Sequence, residues 1–405
     1  MKGPVKGRGN DHILTAMTPS DLTSTINRRD PSPLHRQVAE ILRAHIRSGV
    51  YAVGGSLPSE VELAASFGVS RQTIRQALSQ LASEQLLVRV VGRGTFVTIP
   101  QRPQTGIISC IVTRLCDEMI AQIVEGAERV ARGAGLRLEI VNALADSMLE
   151  QQSLEAARST SDGVLLFPVS DQRSVSSAEN LLRTGFPLVL VDRAIPGLDL
   201  DLVTADNVAG GFAVGRLLAK LGHQRILIVG RYSSLSTERE REQGLRQAVT
   251  STTDSHVTLT AITVASTLIT AYDYLHLLHP ELHPDVLQIA EALQQYLPTA
   301  VFAINDVTAL QVSFAARRLG WRIPDHLTLV GFGDDAHSLA CDPPLTTVHQ
   351  DPIEMGRRAM QLLIARLRKP TCPPVTIRLP VQLVMRQSTG IPRSSLLPHG
   401  SQSAR

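Results

Sequence analysis

The sequence predicts an α/β protein in two unequal parts: an N-terminal winged helix-turn-helix, then a larger domain of strands alternating with helices, built on parallel sheets. Three observations predict it. Residues 33–98 hold three short helical patterns followed by two β-rich runs around a glycine-flanked arginine. From Gly106 onward, continuous aliphatic runs alternate with amphipathic segments. Charge divides at the same place. Residues 1–102 carry 13 Lys+Arg against 7 Asp+Glu and residues 103–405 carry 27 against 30, within a net charge of +3. A basic head on a mildly acidic body suits contact with a polyanion through one end.

In the first part, Pro33 follows Ser32 at a favourable first helical position, and Leu34, Val38, Ile41, Leu42 and Ile46 recur at helical spacing. Gly54-Gly55 breaks the pattern. Ser59 with Glu62 three residues later forms a capping box, which opens a short helix through Phe67. Gly68-Val69 makes the turn and Ser70 caps a third helix, whose apolar stripe is Ile74, Ala77, Leu78 and Leu81. That stripe leaves Arg71, Gln72, Thr73, Arg75 and Gln76 facing outward. Major-groove reading requires this arrangement: long donors and amides near the start of a helix whose opposite stripe docks on its own domain. Residues 86–91 and 95–97, around Gly92-Arg93-Gly94, predict a hairpin wing. Its glycines let a backbone approach a phosphate, and Arg93 carries the charge. A small three-helix protein-interaction domain with surface arginines is the alternative for these residues. The whole constellation in this order favours DNA.

At these residues the chain resembles the GntR family of bacterial regulators. Pro33-Leu34-His35-Arg36-Gln37-Val38, Leu57-Pro58-Ser59-Glu60, residues 69–78 and Gly92-Arg93-Gly94-Thr95-Phe96-Val97 are similar to its successive blocks. The resemblance implies base and phosphate contacts from Arg71, Thr73 and Arg75 on the recognition helix, and from Gly92 and Arg93 on the wing. Where the family commonly has a DNA-touching arginine after Leu-Pro-Ser-Glu, this chain has Val61. That departure implies an altered operator preference.

Hydrophobic residues make up 43% and aromatics 3%, so the core is expected to be aliphatic. Cys110, Cys116, Cys341 and Cys372 form no CxxC pair and no zinc-spaced cluster, which predicts reduced, mostly buried thiols and no metal or cofactor. The N-terminus has no apolar signal region and no run reaches the length of a membrane span, so a cytoplasmic protein is expected. Residues 1–30 and 391–405 read as flexible tails, 31–99 as the head, 100–105 as a linker stiffened by Pro100 and Pro103, and 106–390 as the body. The linker is either a transmitter of rotation or a passive tether.

In the body, residues 107–112, 136–141, 163–167, 187–191, 225–229, 300–304 and 327–330 read as strands. Aliphatic strands separated by helices imply parallel sheets covered on both faces, which bind ligands at the carboxyl ends of their strands. Polar groups follow these runs directly: Asp192-Arg193, Asp206-Asn207, Asn305-Asp306, Gly333-Asp334-Asp335 and His349-Gln350-Asp351, with Thr237-Glu238-Arg239-Glu240-Arg241 beyond Gly230. Carboxylates, amides and arginines on one cleft suit a polyhydroxylated ligand, because hydroxyls both donate and accept. Each such Asp or Asn has a second use as a helix cap.

About residues 105–390 resemble the effector domain of the LacI family and hence periplasmic sugar-binding proteins. The similarity lies in residues 189–193, Asp206-Asn207, residues 221–226, Ala303-Ile304-Asn305-Asp306, residues 330–335 and residues 344–350. It implies two lobes, three crossover segments and a ligand between the lobes, held by Arg241, Asp306, Asn305, Gln350 and Arg193, with Leu115 and Asp117 from the facing lobe. The LacI helix-turn-helix and hinge helix are absent, and residues 252–284 match poorly. His276, His279 and His283 sit there at spacings of three and four, but Pro280 interrupts any shared helical face, so surface histidines are expected.

No GxSxG elbow, GK[ST] phosphate loop or HExxH is present, which argues against an enzyme. A GntR-like head on a LacI-like body is the combination of arabinose-type regulators. It implies a repressor with partners in double-stranded operator DNA and a small effector such as a sugar, working as a homodimer. The alternatives are a sugar-binding sensor with no direct transcriptional role and a ligand-independent DNA-binding protein.

Overall fold

The computed structural model describes residues 26, 32–47, 50–52, 54–84, 86–90, 92–98, 105–169, 174–183, 185–231, 235–251, 257–264, 280–368 and 373–392. Most of both expected tails, the joint at 100–104, His276, His279 and Cys372 lie outside the described residues. The chain divides into two compact units, residues 1–102 and 103–405.

The first unit runs α1 (Leu34–Arg47), α2 (Glu60–Phe67), α3 (Arg71–Ser83), β1 (Leu87–Val90) and β2 (Gly94–Val97). The capping box at Ser59 and Glu62 forms in both directions, and Gly68 closes α2 at φ 62, a backbone conformation glycine adopts without strain. Ser70 caps α3. Helix α1 opens at Leu34 and not at Pro33, because the Pro33 carbonyl already accepts the Arg36 N–H at 2.9 Å. The two strands pair antiparallel, Leu87 opposite Val97 and Val90 opposite Gly94. Val38, Leu42, Leu63, Ile74, Leu78, Leu81, Leu87 and Val97 form one buried core. Arg43, almost buried, grips both oxygens of Glu84 at 2.7 and 3.0 Å, which ties α1 to the end of α3.

The second unit continues β3 (Ile107–Val112), α4 (Glu118–Gly133), β4 (Arg137–Asn142), α5 (Ser147–Thr160), β5 (Gly163–Leu166), α6 (Ser174–Arg183), β6 (Leu188–Val191) and β7 (Asp201–Ala205). Then follow α7 (Asn207–Lys220), β8 (Arg225–Gly230), α8 (Ser236–Thr250), β9 (Thr258–Thr263), α9 (Pro284–Tyr296), β10 (Ala300–Ala303), α10 (Asp306–Arg318) and β11 (Thr328–Val330). It ends with α11 (Ala336–Ala340), β12 (Thr347–His349), α12 (Pro352–Arg368), β13 (Thr376–Leu379) and β14 (Gln382–Val384).

Two parallel sheets result, ordered β13-β7-β6-β5-β3-β4 and β11-β10-β8-β9, with a short antiparallel β12-β14 pair. Each sheet has a hydrophobic core on both faces, as fully covered parallel strands require. The chain passes between the lobes three times: from β7 into α7, from β12 into α12, and from β13 into β14.

Close helix crossings fix each lobe. A methyl group at Gly211 of α7 would drive into the Arg241 carbonyl of α8, and one at Gly244 into the Val208 carbonyl. In the other lobe Gly126 of α4 and Gly356 of α12 are equally pressed, against the carbonyls of Ile353 and Ile123. Backbone meets backbone at both crossings, so these helices cannot slide independently.

One expectation is corrected here. His283 is not a surface residue: it is 1% exposed, and its ring accepts the Asp285 N–H at 3.1 Å, capping α9. The proline after it opens the helix, so the histidine turns inward to serve the cap. Among the described residues, no group of three metal-ligating side chains is brought together. No helix there is long and apolar enough to cross a membrane.

The crossing geometry predicts a contrast in urea unfolding. Gly211→Ala should cost about 1–3 kcal/mol through overpacking. Gly133→Ala, at a helical position with open space around it, should stabilise by about 0.5–1 kcal/mol. Equal effects would show that the α7–α8 crossing relaxes freely.

Candidate functional site

In the first unit, α3 presents Arg71, Gln72 and Arg75 as exposed side chains, while Ile74, Ala77, Leu78 and Leu81 are buried on the opposite stripe. Thr73 is half-buried, its hydroxyl 2.8 Å from the Ser70 hydroxyl. Arg75 rests on the Glu60 carboxylate through Nε at 3.3 Å and Nη2 at 3.0 Å, and Arg89 of the wing reaches the same carboxylate at 3.4 Å. Both arginines are exposed and Glu60 is partly so, so the pairs contribute only about 0–1 kcal/mol and leave the arginines recruitable. At the wing tip, Gly92 and Gly94 hold φ of 75 and 115, with open space where a side chain would stand. Arg93 is exposed between them. The structure therefore gathers the six residues singled out for DNA onto two adjoining elements of one unit. Sequence reasoning missed Glu60 as the holder of two arginines. Val61 is 55% exposed beside it.

In the second unit the centre is Arg241 of α8, only 6% exposed. Its Nε donates to Asn207 Oδ1 at 2.8 Å, its Nη1 to the Ile304 carbonyl at 2.8 Å, and its Nη2 reaches Gln350 Oε1 at 3.5 Å. The guanidinium lies 3.9 Å over the Phe332 ring. Burial pulls it below the ordinary arginine range, and Asp192, Glu238 and Asp306 act against that. Gln350 is 2% exposed and also faces Met119 of the other lobe at 3.9 Å.

Asn305 caps α10, its Oδ1 accepting the Thr308 N–H at 2.8 Å. Arg193 lies along the Phe167 ring, donating to Asp192 at 3.1 Å and to the Pro168 carbonyl at 3.3 Å. Asp117 caps α4. Its side chain is open to water, yet the protein massed around it pushes its carboxyl up, with Arg193 opposing. Leu115 is 46% exposed, and nothing ties it to the others.

The Asp306 carboxylate is held from within the protein. The residue is fully buried, and three protein donors already occupy its carboxylate: the Thr347 hydroxyl at 2.6 Å and the N–H groups of Asp334 and Asp335 at 2.6 and 3.1 Å. Gly331 is required beside it, since any side chain there would strike the carboxylate. Asp306 braces the turn that carries Phe332. Burial is the main reason its carboxyl is pushed up to about 6.

Asp192 emerges as a candidate that the sequence reading left at the strand end. It is 3% exposed, sits at φ 67 without being glycine, and its Oδ1 has no partner among the described residues. A strained, buried, half-satisfied carboxylate is an open acceptor. A shallow surface hollow lies elsewhere, along Arg239, Glu242, Gln243, Arg246, Gln247 and Thr250 of α8. It is lined by one helix and brings no convergent groups together.

Residues 34–97 match the model of bacterial regulatory proteins of the gntR family, and residues 216–389 match a periplasmic binding protein-like domain. The arabinose metabolism transcriptional repressor of Geobacillus stearothermophilus is 28% identical over 369 residues, 88% of this chain and 98% of that protein. Among solved structures, the transcriptional regulator CelR–cellobiose complex aligns with TM-score 0.60 at 21% identity, over 88% of this chain and 99% of that one. A LacI family transcriptional regulator from Enterococcus faecium with bound ribose aligns at 0.58 and 24%, over 70% and 99%. Both structural likenesses show the fold.

The Asp306 carboxyl gives a pH prediction. Its folded value lies above the ordinary aspartate value, so its contribution favours the fold at low pH and is lost as pH rises toward and through about 6. The stability difference between wild type and Asp306→Asn, measured by urea unfolding, should therefore change across that window and level off above it. A flat difference would mean that the carboxyl titrates as if exposed.

Proposed function

We propose that the chain is a bacterial regulator joining a gntR-type DNA-binding head to a periplasmic-binding-protein-like body, a repressor released from its operator by a monosaccharide bound between the two lobes. It is a regulator and not an enzyme. The single observation that carries the ligand reading is the buried Arg241 guanidinium with neutral partners on its inner edge. Its remaining N–H groups donate to sugar hydroxyls, and the open Asp192 oxygen accepts from them. Gln350, Arg193 and the Asn305 amide complete the walls, with Asp117 at the mouth of the facing lobe. Asp306 acts from behind by holding the turn. The names of the relatives support a pentose as the first ligand to try.

On DNA, Arg71, Gln72, Thr73 and Arg75 read the major groove, while Gly92 and Arg93 approach the backbone. Two heads in a homodimer engage a near-palindromic operator. Sugar favours the closed form of the body, and operator and sugar weaken each other by the same factor, typically about 1–3 kcal/mol of coupling.

Two experiments test this. L-arabinose or D-ribose should raise the Tm of the wild-type chain, and Arg241→Ala should weaken that sugar on the order of 100-fold. An undiminished shift in the variant would remove Arg241 from the site. Separately, Arg71→Ala or Arg75→Ala should abolish retardation of a duplex selected by the wild-type chain from a random pool, with sugar binding intact. Unchanged retardation would reject α3 as the reading helix.

A further inference from the structure

The three passages between the lobes are held by two consecutive side chains of α8. Arg241 donates to Asn207, the first residue after the β7 passage, and reaches Gln350, which follows β12 in the second passage. Glu240 takes the first and the third. Its Oε2 accepts from the Asn207 amide at 3.2 Å, and its Oε1 pairs with Arg378 of β13 at 3.2 Å, one turn before the chain returns through β14. Asn207 is fully buried, and its amide also faces the Thr204 hydroxyl at 3.3 Å and the Ala205 carbonyl at 3.1 Å. It is thus fixed to the end of β7 on one side and to α8 on the other.

Two further observations bear on movement. The α7–α8 crossing is backbone against backbone at Gly211 and Gly244, so a shift of α8 carries the start of α7 with it. The Glu240–Arg378 pair is partly open to water, with side chains 24% and 45% exposed. An ion pair of that kind breaks and re-forms at small cost, unlike one sealed in a core.

We propose that Glu240 is a positioning residue that converts occupation of the crevice into hinge movement. When a ligand draws on Arg241, the hydrogen bond from Arg241 to Asn207 adjusts. The amide of the same Asn207 is bonded to Glu240, and Glu240 pulls or frees Arg378. One residue of α8 thereby senses the ligand while its neighbour sets the angle of two passages. The inference rests on reading Arg241 as the effector-binding group.

The test uses the full-length chain with L-arabinose and D-ribose as probes, in wild type, Glu240→Gln, Arg378→Ala and the double variant. Calorimetry gives sugar affinity, and retardation of the selected duplex with and without sugar gives the factor of release. Sugar affinity should stay within about 3-fold of wild type, while the release factor falls on the order of 10-fold in each single variant. The double variant should be no worse than either single one, because both break the same link. Arg378→Ala alters a side chain nearly half in solvent, so it keeps the test decisive if Glu240→Gln folds poorly. Sugar binding with an unchanged release factor in Arg378→Ala overturns the relay alone. Absence of sugar binding in the wild-type chain overturns the reading of Arg241, and the relay with it.

Discussion

A guanidinium removed from water has to find its hydrogen bonds inside the protein, and Arg241 finds them in neutral groups. An amide oxygen, a carbonyl and an aromatic face surround it. Among the described residues, no carboxylate stands within ion-pair distance of it, although Asp192, Glu238 and Asp306 act from further away. Such a cation is held in position without being neutralised at contact. A direct buried pair would gain Coulomb energy but leave little for a ligand to add. Neutral partners fix the direction of the fork and keep its outer donors unspent. The requirement propagates outward: Asn207 must be buried, Phe332 must be braced, and the turn beneath it must be tied to Asp306.

The brace explains an apparent contradiction. Asp306 stands where a strand-end carboxylate would meet ligand, yet protein donors take both its oxygens. Glycine at 331 leaves the room that this carboxylate fills, and Gly333 at φ 138 lets the backbone N–H groups of 334 and 335 turn back onto it. The acid ties the turn together through these three bonds. Its raised pKa follows from burial, not from a need to transfer a proton, because the three donors all stabilise the charged form while desolvation opposes them.

Much of the fold was legible because its signals are local. Continuous aliphatic runs gave both parallel sheets, and the Ser59–Glu62 spacing gave the capping box observed at α2. Strand ends pointed to the polar groups around Arg241 for the same reason: Asp192, Asn207, Asn305 and Gln350 each lie within a residue or two of a strand. The division of labour among them was not legible. Asp306 is consumed by Asp334, Asp335 and Thr347, at separations of 28 to 41 residues that no local pattern encodes. His283 turned inward because a cap at α9 needed its ring, whereas spacing alone placed it outside. Glu60 reads as an ordinary first-turn acid until α3 and β1 bring two arginines to it.

The two units use arginine in opposite ways, and burial decides which. Arg75 and Arg89 are exposed and share a partly exposed carboxylate whose hold water and salt already weaken, so a phosphate or base edge could take either of them at small cost. These are reserves of charge, kept near one orientation. Arg241 cannot be released, because leaving its partners would strand a buried amide and a buried carbonyl as well as itself. Only small adjustments within a fixed network are open to it, and such adjustments pass to whatever else the network holds. An exposed arginine suits recognition of a surface that comes and goes. A buried one, locked to the passages between two lobes, suits the sensing of something small.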